Sequence, residues 1–576
     1  MHKSWRFIPS LAVTFGVLAM LVVSSTGAWA ASAGDSPGAA KRYVLLSASG
    51  TWGAAETAAI TRIGGTVGFS HPGSGIGSAV STDPQFLKAI MRSGTFSKGS
   101  QDMMVQWQAP VNEQELTEDA VNPADDNFIN LQWSMTAIHA AGAWSAGYDG
   151  SGVRVAVIDG GMCDLHPDVA PNLDVAHSTS FVPGFTFNQD TGGASAFRHA
   201  CHVAGIIAAA DNTIGTIGVA PHATIISVKA LHGGSGSFEA VIQSILYASD
   251  PISAGGGGAD IINMSLGATF ARGGGNTGAG ALISALNAAV NYATDHNVLV
   301  VCSAGNNALD LDHSGNIITV PAQSGSGIAV SATAPVGFAV GWPNGATNFS
   351  DPATYSNFGH SLVWVGAPGG DSALPGSAVC SIPRVVGPPV TTACWVFDLV
   401  LSPGSQSGSY FFAAGTSMAA PHVAGVAALI KQKFPGITVG DLKAAIAQSA
   451  DPMDNGAFYG HGFLNAAAAV AASTPELLAS KPVKVESAAR VELTIARNGS
   501  VGAPELSFTL PSAGPAKVEL FDVAGRKVAV LYDGQASAGR TTLSWAAGNS
   551  LHAGAYFARL TASGVQQAKQ IVVLGQ

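Results

Sequence analysis

Charged residues are scarce in this chain of 576 residues, of which only 11% are Asp, Glu, Lys or Arg. The 26 basic residues do not outnumber the 36 acidic ones, and the formal net charge is −10. Without a basic excess to neutralise phosphates, nucleic acid is excluded as the main partner. Since 47% of the residues are apolar, the chain can build hydrophobic cores, and its length predicts roughly three to five domains.

Long apolar runs are also missing, except at the N-terminus. Residues 1–30 begin with a few basic side chains, continue through an apolar stretch at 8–23 and end in Ala28-Trp29-Ala30, the small-x-small pattern of a signal-peptidase site. We predict a signal peptide that is removed on export, with an uncleaved anchor as the alternative. The mature protein should then be secreted, extracellular or at the cell surface, without a membrane span.

Cysteines are too few for a disulfide scaffold, and their odd number of five leaves at least one without an intrachain partner. Cys163, Cys201 and Cys302 lie in apolar contexts that are typical of buried thiols. Cys380 and Cys394 flank a proline-rich loop, which favours a disulfide bond between them. Such a bond would contribute about 3 kcal/mol in an oxidising compartment.

Residues 42–107 show short alternating elements in the order β-α-β-β-α-β, with the last strand predicted at 103–107. This order is the split βαβ, or ferredoxin-like, arrangement of a small α+β unit. The following stretch, 112–126, is polar and acidic, and we expect it to be exposed and open to proteolysis.

Residues 128–472 alternate apolar β-branched runs with alanine-rich helical stretches. Runs without a polar face are typical of strands that are buried on both sides of a parallel sheet. The sequence therefore predicts an α/β domain with a mostly parallel sheet and helices on both faces. The predicted strands are 153–158, 224–228, 261–264, 298–302 and 328–332, and the predicted helices are 199–210, 237–248, 278–296 and 417–434.

The last hundred residues have a different pattern. Apolar and polar residues alternate in 506–511, 516–534, 541–547 and 555–562, with glycine turns between the runs. This pattern favours a small β-sandwich as a separate module.

Four polar residues stand out in the α/β region. Asp159 and Asn306 each end a predicted strand at a glycine-containing turn, while His199 and Ser417 each begin a predicted helix. Taken one at a time, they suit a turn, a core histidine or a helix cap better than a catalytic role. A zinc site at His199, Cys201 and His202 is disfavoured because the spacing does not place three side chains on one helical face.

Taken together, the four motifs resemble the subtilase family. Subtilisin carries its catalytic residues in the chain order Asp, His, Ser, which is the order of Asp159, His199 and Ser417. The flanking residues extend the likeness over roughly 128–472, in the motifs VAVIDGGM, HACHVAGIIAA, IGVAPHATIISVKAL, INMSLG, VCSAGNN, YSNFG and GTSMAAPHVAGVAALI.

The resemblance implies a serine endopeptidase acting on protein or peptide substrates. Ser417 would be the nucleophile, His199 the general base and Asp159 the group that orients the imidazole, with Asn306 and the Ser417 backbone N–H as the oxyanion hole. A catalytically silent subtilase-like surface binding protein is the alternative, but it would not need all four residues. An α/β-hydrolase esterase is disfavoured because Ser417 does not lie in Gly-x-Ser-x-Gly.

The resemblance also implies where a substrate binds. An extended peptide would pair with two edge segments, and a third segment would form a wall of the specificity pocket, whose base falls near Thr319. No acidic residue occurs in these segments, which predicts an apolar or broad preference. The segments are Gly234, Ser235 and Gly236; Ser265, Leu266 and Gly267; and Ala304 and Gly305.

Two further expectations concern cysteine and calcium. Ala200-Cys201 stands where the family usually has Gly-Thr, and we predict that Cys201 is a buried free thiol whose modification by a mercurial inhibits the enzyme. Asp125, Asp168 and Asn212 match positions at which subtilases hold a structural calcium ion through oxygen ligands. No cofactor is expected for catalysis itself.

The predicted organisation follows. Residues 1–30 are the signal peptide, and 31–120 resemble the subtilase propeptide, a folding chaperone and intramolecular inhibitor that would be removed by a cut within about 108–127. Residues 121–473 form the catalytic domain, and 474–500 a linker. Residues 501–576 resemble the Ig-like C-terminal modules of bacterial surface and secreted proteins, including hook-capping and type IX sorting domains. That module could contact secretion machinery or the cell surface, bind substrate, or stabilise the enzyme.

Overall fold

The computed structural model describes residues 39–107, 111–116, 128–271 and 279–471, together with 492–495, 500–501, 506–510, 512–522, 526–537, 539–543, 554–562 and 565–574. The chain divides into two compact units, Met1–Ala472 and Ser473–Gln576. The predicted signal peptide lies outside the described residues. No helix in the described ranges is long and apolar enough to cross a membrane.

The first unit begins with an antiparallel sheet of four strands, in the order β2-β3-β1-β4, and two helices. Buried side chains of both helices and three strands form its small core. The predicted element order is present, but the last strand of this sheet is β4, which ends at Gln101, and the strand predicted at 103–107 lies in a different sheet. The elements are β1 (Lys41–Ser47), α1 (Ala54–Arg62), β2 (Thr66–His71), β3 (Ile76–Ser81), α2 (Phe86–Arg92) and β4 (Phe96–Gln101).

Two short strands follow and pair elsewhere in the unit. β5 (Met104–Gln106) and β6 (Asn112–Leu116) lie on either side of residues 108–110, which are outside the described residues. Next come the short helices α3 (Trp133–Ala137) and α4 (Ala140–Ser145).

The largest sheet of the first unit has eight strands. Its order is β16-β15-β13-β11-β7-β9-β8, with β17 also paired to β15, and every pairing is parallel except that of β16. The strands of this region are β7 (Arg154–Asp159), β8 (Thr179–Ser180), β9 (Thr224–Lys229), β10 (Ser235–Ser237), β11 (Ile261–Met264), β12 (Ala268–Ala271), β13 (Leu299–Ser303), β14 (Ile317–Val320), β15 (Ile328–Ala334), β16 (Asp351–Pro352), β17 (Val363–Pro368), β18 (Val379–Ile382), β19 (Val390–Ala393), β20 (Val400–Pro403) and β21 (Tyr410–Ala414).

Helices cover this sheet. α6 and α7 pack together in a core cluster that includes Ile158, Met264 and Val300 of the sheet, whereas α5 and α8 pack against each other and against the same strands. Successive side chains of a strand point to opposite faces, so the strands can be buried on both sides, as the predicted pattern requires. The helices are α5 (His199–Ala208), α6 (Phe238–Ser249), α7 (Ala279–Asp295), α8 (Thr416–Lys433), α9 (Val439–Ser449), α10 (Gly456–Tyr459) and α11 (Ala466–Ala471).

The carboxyl ends of neighbouring parallel strands bring the motif residues to one edge. β7 ends at Asp159, and β11 and β13, which pair in register, lead directly into Ser265 and Ala304. In open parallel sheets this edge is where ligands and reacting groups collect.

The second unit contains two sheets around one hydrophobic core. The sheets have the strand orders β22-β24-β27 and β23-β29-β28-β25-β26, and their inward side chains share a single cluster. The strands are β22 (Glu492–Ile495), β23 (Ser500–Val501), β24 (Leu506–Leu510), β25 (Gly514–Asp522), β26 (Lys527–Ala536), β27 (Gly539–Leu543), β28 (Gly554–Ala562) and β29 (Val565–Leu574). The predicted segments of alternating polarity overlap β24, β25, β26, β27 and β28, whereas β22, β23 and β29 lie outside these segments.

Candidate active site

Asp159 and His199 form the first half of the site. The Gly160 backbone N–H donates to Asp159 Oδ1 at 2.6 Å, which fixes the carboxylate at the end of β7. His199 begins α5, and its Nδ1 lies 2.8 Å from Asp159 Oδ2. An ionised carboxylate only accepts hydrogen bonds, so Nδ1 carries the proton and Nε2 is left as the basic nitrogen.

The surroundings of His199 tune its basicity. Burial lowers the pKa of the imidazole, but the charge of Asp159 and the hydrogen bond to it raise that pKa, and the charges of Glu113 and Asp190 add to the increase. The net shift is upward. Nε2 is buried and has no hydrogen-bond partner among the described residues, so the structure holds it ready to receive a proton.

Ser417 lies in the first turn of α8, directly after the turn at Gly415. Its Oγ donates to the Ser265 carbonyl at 3.1 Å, and Ser265 Oγ donates back to the Ser417 carbonyl at 2.7 Å. The hydroxyl therefore points to the end of β11 and not to His199 in this state. Catalytic hydrogen bonds are often made only when substrate is bound, so this orientation leaves the assignment of Ser417 intact.

Asn306 is oriented by the residue before the nucleophile. Its Oδ1 accepts hydrogen bonds from the Thr416 backbone N–H at 2.9 Å and from Thr416 Oγ1 at 2.7 Å. Because a backbone N–H can only donate, the contacting atom must be the amide oxygen, and the NH₂ is the end that can donate to substrate.

Asn357 holds the loop that carries Asn306. The Asn357 Oδ1 accepts from the backbone N–H groups of Asn307 and Leu309, both at 3.0 Å, and its Nδ2 donates to the Ala304 carbonyl at 3.0 Å. The side chain is fully buried. Sequence reasoning missed this role, although YSNFG was among the motifs of the resemblance.

Comparisons with known proteins identify the family. A family model described as the subtilase family matches residues 150–473, which is more than half of the chain. This chain belongs to the subtilase family. The M-protease of Shouchella clausii (strain KSM-K16) is 34% identical over 343 residues, covering 59% of this chain and 70% of that protein. Subtilisin E of Bacillus subtilis (strain 168) is 35% identical over 344 residues, covering 59% and 71%.

The similarity to these relatives identifies this subtilase as a serine endopeptidase. Among solved structures, the epidermin leader peptide processing serine protease from Staphylococcus aureus is similar to this chain with a TM-score of 0.57. The match covers 75% of this chain and 98% of that protein's chain. At 20% identity it shows a likeness of fold.

The first predicted substrate segment of the subtilase is paired with its own chain. β5 runs antiparallel to β10, with Val105 opposite Gly236, and the Trp107 N–H donates to the Gly234 carbonyl at 3.0 Å. This pairing explains why the predicted strand at 103–107 does not join the N-terminal sheet. An alternation of apolar and polar residues predicts a strand, but it does not identify the strand with which this one pairs.

The other predicted segments lie at the ends of β11 and β13. Ser265 and Leu266 are buried there beside the nucleophile, and the Gly305 N–H donates to Thr416 Oγ1 at 3.0 Å. Thr319 is buried on β14 with its hydroxyl 3.3 Å from that of Thr269.

The cysteines differ from prediction at one position. Cys201 is not a free thiol, because it forms a disulfide bond with Cys163 with a Cα–Cα distance of 5.4 Å. The fold brings the start of α5 against the loop after β7, two segments that are 38 residues apart. The predicted disulfide bond between Cys380 and Cys394 is present, and Cys302 is free and buried, with its thiol pKa raised by burial to about 12.

Metal ligation fits poorly. The His202 Nε2 is 2.9 Å from the Phe411 carbonyl and 3.1 Å from that of Val400, which with the bonded Cys201 removes the zinc alternative. Across the described parts of the chain, no group of three or more His, Cys, Asp or Glu side chains is arranged to hold a metal ion.

The predicted calcium ligands are described only in part. Asp168 Oδ2 accepts hydrogen bonds from the Thr216 N–H at 3.0 Å, the Thr216 hydroxyl at 3.2 Å and the Tyr410 hydroxyl at 2.9 Å. Asn212 Oδ1 accepts from the Ile214 N–H at 3.0 Å, and Asp125 lies outside the described residues. Calcium requires oxygen ligands, and these hydrogen bonds involve only one oxygen of each side chain, so the calcium site stays a prediction.

Proposed function

We propose that this subtilase is an exported endopeptidase made as an autoprocessed zymogen, and that Asp159, His199 and Ser417 are its catalytic triad. The observation that carries the proposal is the 2.8 Å contact between His199 Nδ1 and Asp159 Oδ2, which leaves Nε2 as a base at the edge where α8 presents Ser417.

The proposed reaction is acyl transfer. His199 Nε2 takes the proton of Ser417 Oγ as this oxygen attacks the peptide carbonyl, and then gives the proton to the departing amine. Water then attacks the acyl carbon and gives a proton to the same nitrogen. The bond between the acyl carbon and Ser417 Oγ breaks, and the proton returns to Ser417 Oγ. Asp159 holds the imidazole in the required tautomer and stabilises its charged form.

The developing oxyanion would be stabilised by two donors. The Ser417 N–H lies in the first turn of α8, where the helix dipole favours negative charge, and the Asn306 NH₂ is the second donor. A side-chain donor of this kind contributes about 3–4 kcal/mol in a comparable site.

The N-terminal sheet and helices would act as the intramolecular inhibitor. One Arg42 nitrogen donates to both carboxylate oxygens of Glu239 in α6, at 2.8 and 2.7 Å, and His71 Nε2 lies 2.9 Å from Asp250 Oδ2 at the other end of that helix. β5 meanwhile fills the strand position at β10. We place the first cut between Trp107 and Val111, because these two residues pair with opposite sides of the site.

Trp107 supports the expected apolar preference. Its indole is fully buried, its Nε1 donates to the Gly236 carbonyl at 3.1 Å, and its ring meets that of Phe238 edge-on at 5.5 Å. Good substrates should therefore carry a large apolar side chain a few residues before the scissile bond.

Export is supported by the signal-like N-terminus and by two disulfide bonds, which persist in oxidising compartments. The second unit would be an appended Ig-like β-sandwich that serves attachment, sorting or stability.

The experiment compares the wild-type chain with Ser417→Ala and with a matched serine control, Ser151→Ala, whose side chain is exposed. We expect wild type and control to digest a protein substrate and to lose the N-terminal segment, and Ser417→Ala to do neither. Removal of that segment at the same rate in Ser417→Ala would overturn the proposal.

A further inference from the structure

A second strand of the chain lies against the other side of the active site. β6 pairs antiparallel with β21, with Asn112 opposite Ala414 and Leu116 opposite Tyr410, and the Val111 N–H donates to the Ala414 carbonyl at 2.7 Å. β21 continues through Gly415 and Thr416 into Ser417. The pairing therefore ends beside the nucleophile.

β6 lies on the leaving-group side of the site. Before residue 108 the chain pairs with β10, and from Val111 onward it pairs with β21. A substrate crossing the site in the same direction would place its acyl half on β10 and its departing half along β21. The charge of Glu113 in β6 also raises the pKa of His199.

We propose that β6 keeps the edge of β21 occupied after the first cut and so competes with the departing half of extended polypeptide substrates. The proposal rests on the proposed function. A cut before Val111 separates β5 from the catalytic region, but it breaks none of the backbone hydrogen bonds between β6 and β21. β6 stays covalently attached, and its high effective concentration makes it a strong competitor.

The ligand class follows from the contacts. β21 offers its main chain to β6, whereas its own side chains, among them Tyr410, Phe411 and Phe412, are buried. Recognition by strand addition depends on backbone hydrogen bonds and tolerates many sequences. The strand should accept an extended segment of about five residues after the scissile bond, judged from the length of β6.

The test uses the processed full chain and the double variant Gln114→Pro/Glu115→Pro. Consecutive amides of a strand point to opposite sides, so one of the two prolines must remove a donor to β21. The matched control is Gln114→Ala/Glu115→Ala, which keeps both amides. Two substrates with the same acyl half are compared, one a p-nitroanilide and the other a quenched fluorescent peptide with six residues after the scissile bond.

We expect the proline variant to raise the ratio of peptide to anilide kcat/KM at least tenfold over wild type and over the alanine control. An unchanged ratio with normal anilide hydrolysis would overturn this inference alone. If wild type hydrolyses neither substrate, the proposed function fails and this inference fails with it.

Hydrogen exchange of the wild-type chain gives a second test that needs no variant. After the first cut, those amides of residues 112–116 that face β21 should stay protected while the N-terminal sheet dissociates. Loss of protection in 112–116 at the same time would contradict the proposal.

Discussion

Two buried aspartates, Asp159 and Asp168, lie close together in the chain and have different hydrogen-bond partners. Asp159 accepts from the Gly160 N–H and the His199 imidazole, whereas Asp168 accepts from the Thr216 N–H and hydroxyl and from Tyr410. Both are almost completely buried. An imidazole can change its charge near neutral pH, whereas a threonine hydroxyl and a tyrosine cannot. The partner therefore decides whether a buried carboxylate supports chemistry or only structure.

The largest effect should come from Asp159→Asn. The amide can no longer hold His199 in the tautomer with Nδ1 protonated, and kcat should fall by about 10⁴-fold, as in a comparable triad. Steady-state kinetics on a peptide anilide measures the loss. A fall below tenfold would mean that the pair at 2.8 Å does not orient the base.

The substitution Asp168→Asn tests the structural role of the second aspartate through the free energy of unfolding. One oxygen that accepts three hydrogen bonds is lost or replaced by a donor, and the free energy of unfolding should drop by about 3 kcal/mol. Denaturant unfolding of both variants in the Ser417→Ala background avoids self-digestion. If Asp159→Asn proved the more destabilised of the two, the division of roles would be wrong.

The pH profile sharpens the difference. His199 must be neutral to accept a proton, and Asp159 raises its pKa, so kcat/KM should fall tenfold per pH unit below a midpoint that lies above the ordinary 6.5. The midpoint should move to lower pH in Asp159→Asn and stay in place in Asp168→Asn. A midpoint that both variants share with wild type would refute the assignment of His199.

Tyr410→Phe removes one hydroxyl from Asp168 and leaves the ring packing with Phe128, whose ring centroid is 5.3 Å away. A hydrogen bond to a buried charged group contributes about 2 kcal/mol, and the unfolding free energy should fall by that amount. Phe412→Leu, a buried change in the same strand without a polar group, is the control. A loss below about 0.5 kcal/mol would show that the hydroxyl does not support the carboxylate.

The smallest effect is expected from a chelator. Three donors already bind Asp168 Oδ2, and the described residues include no group of three or more His, Cys, Asp or Glu side chains arranged to hold a metal ion. A strong calcium chelator should therefore change the rate of thermal inactivation less than twofold. Acceleration by tenfold or more, reversed by added calcium, would support the calcium prediction and contradict the account of Asp168.

Most of what could be predicted came from local patterns in the amino-acid sequence. Asp159, His199, Asn306 and Ser417 lie at ends of strands or starts of helices whose apolar runs are visible in the sequence. The hairpin disulfide at Cys380 was predictable for the same reason, because its partner is only 14 residues away.

Partners that meet only in the folded chain could not be predicted. Cys163 meets Cys201, and Tyr410 meets Asp168 across 242 residues, because the sheet order brings their segments together. Residues 104–106 were recognised as a strand but assigned to the wrong sheet, since alternation does not identify a neighbour. Asn357 had no local signal beyond its motif.

The most direct test of the catalytic assignment is the site of a covalent adduct. Wild type, Asp159→Asn and Asp168→Asn would be treated with a fluorophosphonate and digested, and the labelled residue located by mass spectrometry. We predict one adduct, on Ser417, formed at the wild-type rate in Asp168→Asn and far more slowly in Asp159→Asn. An adduct on Ser265 or Ser303, or equal rates in the two variants, would contradict the account.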